Sequence, residues 1–200
     1  LGQRTTSSGT VLVDNLLVEP FNLIPSWKSY DTPTLAGPFA QLTTAAIDAG
    51  IARAALNDTV SFVNQFARPW IDAGVERAGD DPLTIHQIGV LDSRIAAADA
   101  LLEQAGKVLD RYKYHLTEET VALASLAVAR AKIFTTEAAL EAASRLFELG
   151  GTRSTHPRYN FDRHWRNGRV HTLHDPVRWK YHLLGNWVLN GKAPARHDWN

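Results

Sequence analysis

The sequence contains no cysteine and no methionine. The first absence excludes disulfides and thiolate metal ligands. The second, with an opening of Leu1-Gly2-Gln3, leads to the expectation that a longer chain precedes residue 1. Net charge is also missing: Lys+Arg and Asp+Glu stand at 21 each, so nothing supports a general nucleic-acid or anionic-membrane role. No apolar run approaches the roughly 18 residues needed to span a bilayer, and no secretory signal pattern is visible. There is no internal repeat and no low-complexity tract. What remains is a chain of 200 residues with 44% hydrophobic content, enough for one sizeable core and read by default as a soluble, cytoplasmic protein.

The first 25 residues differ from the rest. Thr10-Val11-Leu12-Val13-Asp14-Asn15-Leu16-Leu17-Val18 is rich in β-branched and apolar residues, which predicts strand with a turn or bulge at Asp14-Asn15. Two strands at most cannot make a sheet alone, so they read as the end of a larger one. Residues 26–33 form a linker, with Thr32 as helix cap and Pro33 as first helical residue.

Helical spacing then dominates. A first helix is predicted over about 34–66, where Phe39, Leu42, Ala46, Ala49, Leu56, Val60 and Val63 recur on one face. It ends at Arg68-Pro69-Trp70, because the residue before proline avoids helical backbone. A second is predicted over about 83–113, with Ile88, Leu91, Ile95, Ala98, Leu102, Ala105, Leu109 and Tyr112 as a seam. A third covers about 117–149, opened by Thr117-Glu118-Glu119 and closed by Gly150-Gly151. Apolar residues cover much of its circumference, which makes it the central helix. A last helix runs about 177–190, with Asp175 as cap and Pro176 in the first position. The predicted architecture is mainly α: an antiparallel four-helix bundle preceded by the last strands of a β domain.

Chemistry-bearing residues concentrate between Arg163 and Val177. His171 and His174 are three apart and share a face if the backbone is helical. They read as a metal pair with His164 or Asp175, as acid/base groups, or as structural histidines. No partner carboxylates at Glu-x-x-His spacing support a metal, so none is expected. Arg163, Arg166 and Arg169 make a stripe suited to phosphate or to a salt-bridged surface. Gly150-Gly151 followed by Arg153 can bring backbone and a guanidinium close to an anion, or simply end a helix. Arg68 beside Pro69-Trp70 adds a second arginine at a helix end.

Together these pieces resemble the C-terminal half of the acyl-CoA dehydrogenase superfamily. Gly2 to Thr10 and Val13 to Val18 look like the last strands of that family's middle β domain, giving domains of 1–25 and 26–200. The run from Arg163 to Pro176 is similar to the two-component flavin monooxygenase branch, of the dibenzothiophene monooxygenase or sulfur-acquisition type. Arg68-Pro69-Trp70 and the closing Lys180-Tyr181-His182, Gly185-Asn186-Trp187 and Asn190-Gly191 fit the same branch. The resemblance implies a homotetramer with flavin between subunits. The flavin would be FMN, or FAD in the alternative, reduced by a separate NAD(P)H:flavin reductase. It implies a small organosulfur or aromatic substrate. Arg68, Gly150, Gly151 and Arg153 would bind cofactor, and His174, supported by His171, would be catalytic. True dehydrogenases place a glutamate base near Leu173-His174-Asp175-Pro176-Val177. Here histidine stands instead, suited to hydrogen-bonding activated oxygen on a reduced flavin. Two other readings stay open: an FAD-dependent acyl-CoA dehydrogenase, and a non-catalytic helical oligomerisation fragment.

Overall fold

The computed structural model describes all residues from Leu1 to Asn200. Its five α-helices are α1 (Ala36–Gln65), α2 (Pro82–Tyr112), α3 (Glu118–Gly150), α4 (Asp162–His171) and α5 (Arg178–Asn190). The architecture is all-helical, and α3 lies at its centre: α1, α2, α4 and α5 all pack against it. None of the helices is long and apolar enough to cross a membrane.

Local chemistry sets the starts. At α3, Thr117 Oγ1 accepts from the Thr120 amide at 3.1 Å and Thr120 Oγ1 accepts from the Thr117 amide at 2.9 Å. This reciprocal box satisfies two donors that a helix start leaves open. Glu118 and Glu119 complement the positive end of the helix dipole. At α2, Asp81 Oδ1 accepts from the Leu83 amide at 2.8 Å and Pro82 opens the helix. At α1 the expected cap is displaced. Thr34 rather than Thr32 accepts from the Ala36 amide, at 3.2 Å. Pro38 then falls in the first turn, where its missing N–H leaves no bond unmade.

Small side chains bring α1 and α3 together. Ala45, Ala49, Ala52 and Ala55 on α1, and Ala131, Ala138, Ala139, Ala142 and Ala143 on α3, are all buried. The expected seam of α2 closes one side, with Leu91, Ile95 and Ala98 joining Ala52, Ala55, Ala138, Ala139 and Ala142 in one cluster. Ala105 and Leu109 join Ala124, Val128 and Ala131 in a second.

The expected strands do not form. Residues 7–19 hold no strand pairing, and Val11, Leu12, Val13, Leu16 and Leu17 are exposed. A strand exists only through a partner's ladder, and no second extended segment lies beside this one. At the other end, residues 192–200 fold back over the start of α1. The carbonyls of His197 and Asn200 sit so close to Gly37 that a Cβ there would collide.

Ala139 is fully buried between three helices, so Ala139→Leu forces extra methylenes into a closed seam. We expect it to lower the unfolding free energy of the full-length protein by about 1–3 kcal/mol, read as a lower urea midpoint.

Candidate functional site

Four of the buried charged side chains belong to one cluster. Asp48 on α1 and Lys132 on α3 are both fully buried, with Lys132 Nζ 3.1 Å from Asp48 Oδ2. Thr136 Oγ1 donates to the same oxygen at 3.0 Å. The other oxygen, Asp48 Oδ1, accepts from His171 Nδ1 at 2.6 Å. An ionised carboxylate only accepts, so Nδ1 carries the imidazole proton. His171, last residue of α4, is thereby fixed at the edge of the core.

Asp175 completes the cluster, and its expected capping role is overturned. The cap position of α5 is taken by Val177, without any side-chain bond to the helix start. The Asp175 carboxylate instead turns inward, 3% exposed as a residue. Its Oδ1 lies 3.8 Å from Lys132 Nζ and its Oδ2 3.8 Å from Lys180 Nζ. Two buried ammonium groups attract a carboxylate more strongly than the partial charge at a helix start does. Neither Asp175 oxygen has a hydrogen-bond partner. His174 Nδ1 stands 3.7 Å from Asp175 Oδ1, while the His174 side chain itself is 60% exposed.

His174, Asp175 and Lys180 open onto a pocket of about 540 Å³ between α5 and the C-terminal tail, walled also by Trp179, His197 and Trp199. Lys180 is tied to the tail, donating to the Trp199 carbonyl and, at 3.3 Å, to Asn200 Oδ1. Burial pushes the Lys180 ammonium down from 10.5 to about 8. The Asp175 carboxylate opposes that shift and the Lys132 charge adds to it. His197 is also lowered, by burial first and by the Lys180 charge second.

The four expected cofactor residues meet elsewhere. Arg68, Gly150, Gly151 and Arg153 line a second pocket, of about 870 Å³, at the end where α1 and α3 finish and α2 begins. Gly150 is required by close approach, since a Cβ there would come 2.7 Å from Ser154 Cβ. Gly151 has φ 64° and ψ −173°, backbone that only glycine adopts without strain, and space beside it is open. The Arg153 guanidinium lies over the Phe66 ring, 4.9 Å from its centroid, and Arg153 Nε donates to Tyr159 Oη at 3.3 Å. Arg158 reaches the same hydroxyl. Burial raises the Tyr159 phenol, but the bonds and charges of these two arginines outweigh it and leave it lowered. Arg68 is exposed and bonds no protein group. An exposed guanidinium, a second braced on an aromatic ring and an open glycine turn make a donor set that fits an anionic cofactor group such as phosphate.

The histidine pair and the arginine pocket are therefore separate within one chain. Asp48, which holds His171, and Gln65, at the end of α1 near Arg68, lie roughly 25 Å apart along the helix at 1.5 Å per residue. Arg163, His164 and Arg166 of the 163–177 run bond to protein groups. His164 Nε2 is 2.7 Å from Asp58 Oδ2, which Arg163 also meets at 2.5 Å. Burial lowers the His164 imidazole, against the pull of Asp58. Arg166 bonds Asp162 at 2.8 Å and Asn160 Oδ1 at 3.1 Å. For Arg163 and Arg166 the stripe is a salt-bridged surface, and its first two members have protein partners.

Comparison with known proteins adds to this geometry. The family model described as "Acyl-CoA dehydrogenase, C-terminal domain" matches residues 42–179. The chain belongs to the acyl-CoA dehydrogenase family. It is 39% identical over 205 residues to dibenzothiophene monooxygenase of Mycolicibacterium goodii, covering 97% of this chain and 49% of that protein. It is 34% identical over 200 residues to the probable FMNH2-dependent monooxygenase SfnC of Pseudomonas putida, covering 98% of this chain and 51% of that protein. The crystal structure of TdsC from Paenibacillus sp. A11-2 with FMN and indole matches with a TM-score of 0.79 and 34% identity, over 82% of this chain and 42% of that one. The chain thus spans about half the length of the curated relatives it matches.

Within this acyl-CoA dehydrogenase domain, Asp48 and Lys132 are site residues that reading the sequence did not single out. A signal exists for both. Lys132 lies between Ala131 and Ile133 on the apolar side of α3, and Asp48 between Ile47 and Ala49 on α1. One lone charge on the core face of each of two packed helices is a pattern for a buried ion pair.

Lys180 gives this cluster a testable pH dependence. Its folded value of about 8 lies below the ordinary 10.5, so the unfolded chain holds a proton between these values that the folded chain has lost. Stability contributed by this group therefore rises with pH across that window and is flat below it. The melting-temperature difference between wild type and Lys180→Met, measured on the full-length protein, should shift in favour of wild type from pH 8 to 10.5. A difference that stays constant would remove Lys180 from the linkage.

Proposed function

We propose that this chain is the helical half of a reduced-FMN-dependent monooxygenase acting on a small organosulfur or aromatic substrate. The observation that carries the reading is the convergence of Arg68 with the sequence-distant segment of Gly150, Gly151 and Arg153 on one pocket with the chemistry of a phosphate site. Relatives at 34–39% identity named as monooxygenases, and an FMN-bound neighbour in structure, support it.

Arg68 and Arg153 would hold the FMN phosphate, and the Gly150-Gly151 turn would let backbone approach it. FMN, bound in its reduced form, would supply the two electrons that let one atom of O2 enter the substrate while the other leaves as water. His174, exposed at the mouth of its pocket, would hydrogen-bond the reacting oxygen or transfer a proton there, with His171 in support. The separation of the two pockets fits a homotetramer in which the arginine loop of one subunit completes the flavin site of another. In that assembly residues 1–25 end the middle β domain, α1, α2 and α3 form an antiparallel bundle completed by the α4–α5 region, and a separate NAD(P)H:flavin reductase supplies FMNH2 in the cytoplasm.

Dehydrogenation is the less favoured chemistry because no carboxylate at this place is free to act as a base. Asp175, the acidic residue beside His174, is buried between two lysines. Proton abstraction next to a thioester needs an accessible carboxylate near the substrate.

The full-length protein, supplied with FMNH2, O2 and dibenzothiophene or indole, should form an oxygenated product. His174→Ala should cut product by about 100-fold while hydrogen peroxide is still released. Tight FAD binding with reduction by an acyl-CoA would overturn the proposal. Arg153→Ala should raise the Kd for FMN about tenfold, as expected for one charge-assisted phosphate contact. Equal affinity, measured by flavin fluorescence, would return the loop to a helix-ending role.

A further inference from the structure

The two histidines are joined through the core, although one is a half-buried helix end and the other an exposed turn residue. From His171 Nδ1 the path runs 2.6 Å to Asp48 Oδ1, then from Asp48 Oδ2 3.1 Å to Lys132 Nζ. From Lys132 it runs 3.8 Å to Asp175 Oδ1, and that same oxygen is 3.7 Å from His174 Nδ1. Lys132 is the only group that touches both carboxylates. We propose that Lys132 is a positioning residue that couples His171 and His174 into one electrostatic unit through Asp48 and Asp175. The proposal rests on the reading of these histidines as catalytic, but the coupling itself needs no cofactor to be measured.

Stability alone is a weak reason for this arrangement. Apolar side chains of similar volume commonly replace a buried ion pair without loss, whereas removing one partner leaves a costly lone charge. The cluster is also far from saturated with hydrogen bonds. Asp48 has three donors, while the Asp175 oxygens have none and lie at ion-pair distance only. Asp175 is thus held by charge rather than by directional bonds, and its field acts on the neighbouring imidazole. Asp175 and Lys132 are buried, so their charges are screened less than surface charges, and they act on an imidazole that itself faces solvent. The ionisable groups around His174 are Asp175 on its own turn, Lys132 on α3, Lys180 and His182 on α5, and Lys192 and His197 on the tail. Removing Lys132 takes away a repulsion on the His174 imidazolium and strips Asp175 of one of its two cations. Both changes favour the imidazolium.

Diethyl pyrocarbonate acylates only neutral imidazole, so its rate at His174 reads this balance without flavin, oxygen or substrate. In the full-length protein near neutral pH, Lys132→Met should slow acylation of His174, followed by mass spectrometry of its peptide, about three- to tenfold. Lys132→Arg keeps the charge and should stay within about twofold of wild type. Because Lys132→Met alone leaves Asp48 without its cation, the charge-balanced pair Asp48→Asn with Lys132→Met is the decisive protein. It should still show slowing at His174, smaller than in Lys132→Met because Lys132 touches Asp175 and Asp48 does not, so the loss of the more distant Asp48 charge offsets only part of the effect. A merely structural role for Lys132 predicts the opposite sign, since loosening the turn exposes the ring and speeds acylation. Equal or faster acylation in the folded double variant overturns the proposal. A slowed rate in a protein that forms no oxygenated product would keep the coupling and discard the monooxygenase reading instead.

Discussion

The structure hangs on the contact between Asp48 and Lys132. Both side chains are fully buried, and neither charge is tolerable there without the other. The pair therefore fixes α1 against α3 in register as well as in distance. Alanines alone do not achieve this, because a seam of near-identical small residues packs almost as well one turn away. Thr136 and His171 occupy the remaining positions around Asp48, so the same carboxylate also sets where α4 ends.

The contact extends outward by charge. Lys132 draws the Asp175 turn inward, Lys180 follows from α5, and the tail then closes over Lys180 through Trp199 and Asn200. The last quarter of the chain is short of apolar burial of its own: α5 has one buried residue, and that residue is Lys180. Polar and ionic bonds take the place of a hydrophobic seam there. Such contacts act through charge as well as through packing.

The two pockets differ for a related reason. The arginine pocket is an open surface at the end of the long helices, where the Arg68 and Arg153 side chains face solvent. The histidine pocket backs onto the buried cluster, where fields are strong and water is scarce. The two pockets thus lie at separate ends of the domain, one at the end of α1 and α3 and the other between α5 and the C-terminal tail.

The sequence by itself determined the three long helices closely, though not α4: apolar spacing of three and four placed α1, α2 and α3 within about two residues at each end, and the Thr117 box and Gly151 turn marked the bounds of α3. Arg68, Gly150, Gly151 and Arg153, singled out by resemblance in local motifs, line one pocket. What the sequence did not determine was the fate of groups whose role depends on a distant partner. Asp175 before Pro176 has every local mark of a helix cap, yet it is claimed by lysines on α3 and α5. Residues 10–18 carry the composition of a strand, but a strand is a property of a pair of segments. Tertiary structure decided these cases because charge and strand pairing act through space, while capping and helical periodicity are complete within a few residues of chain.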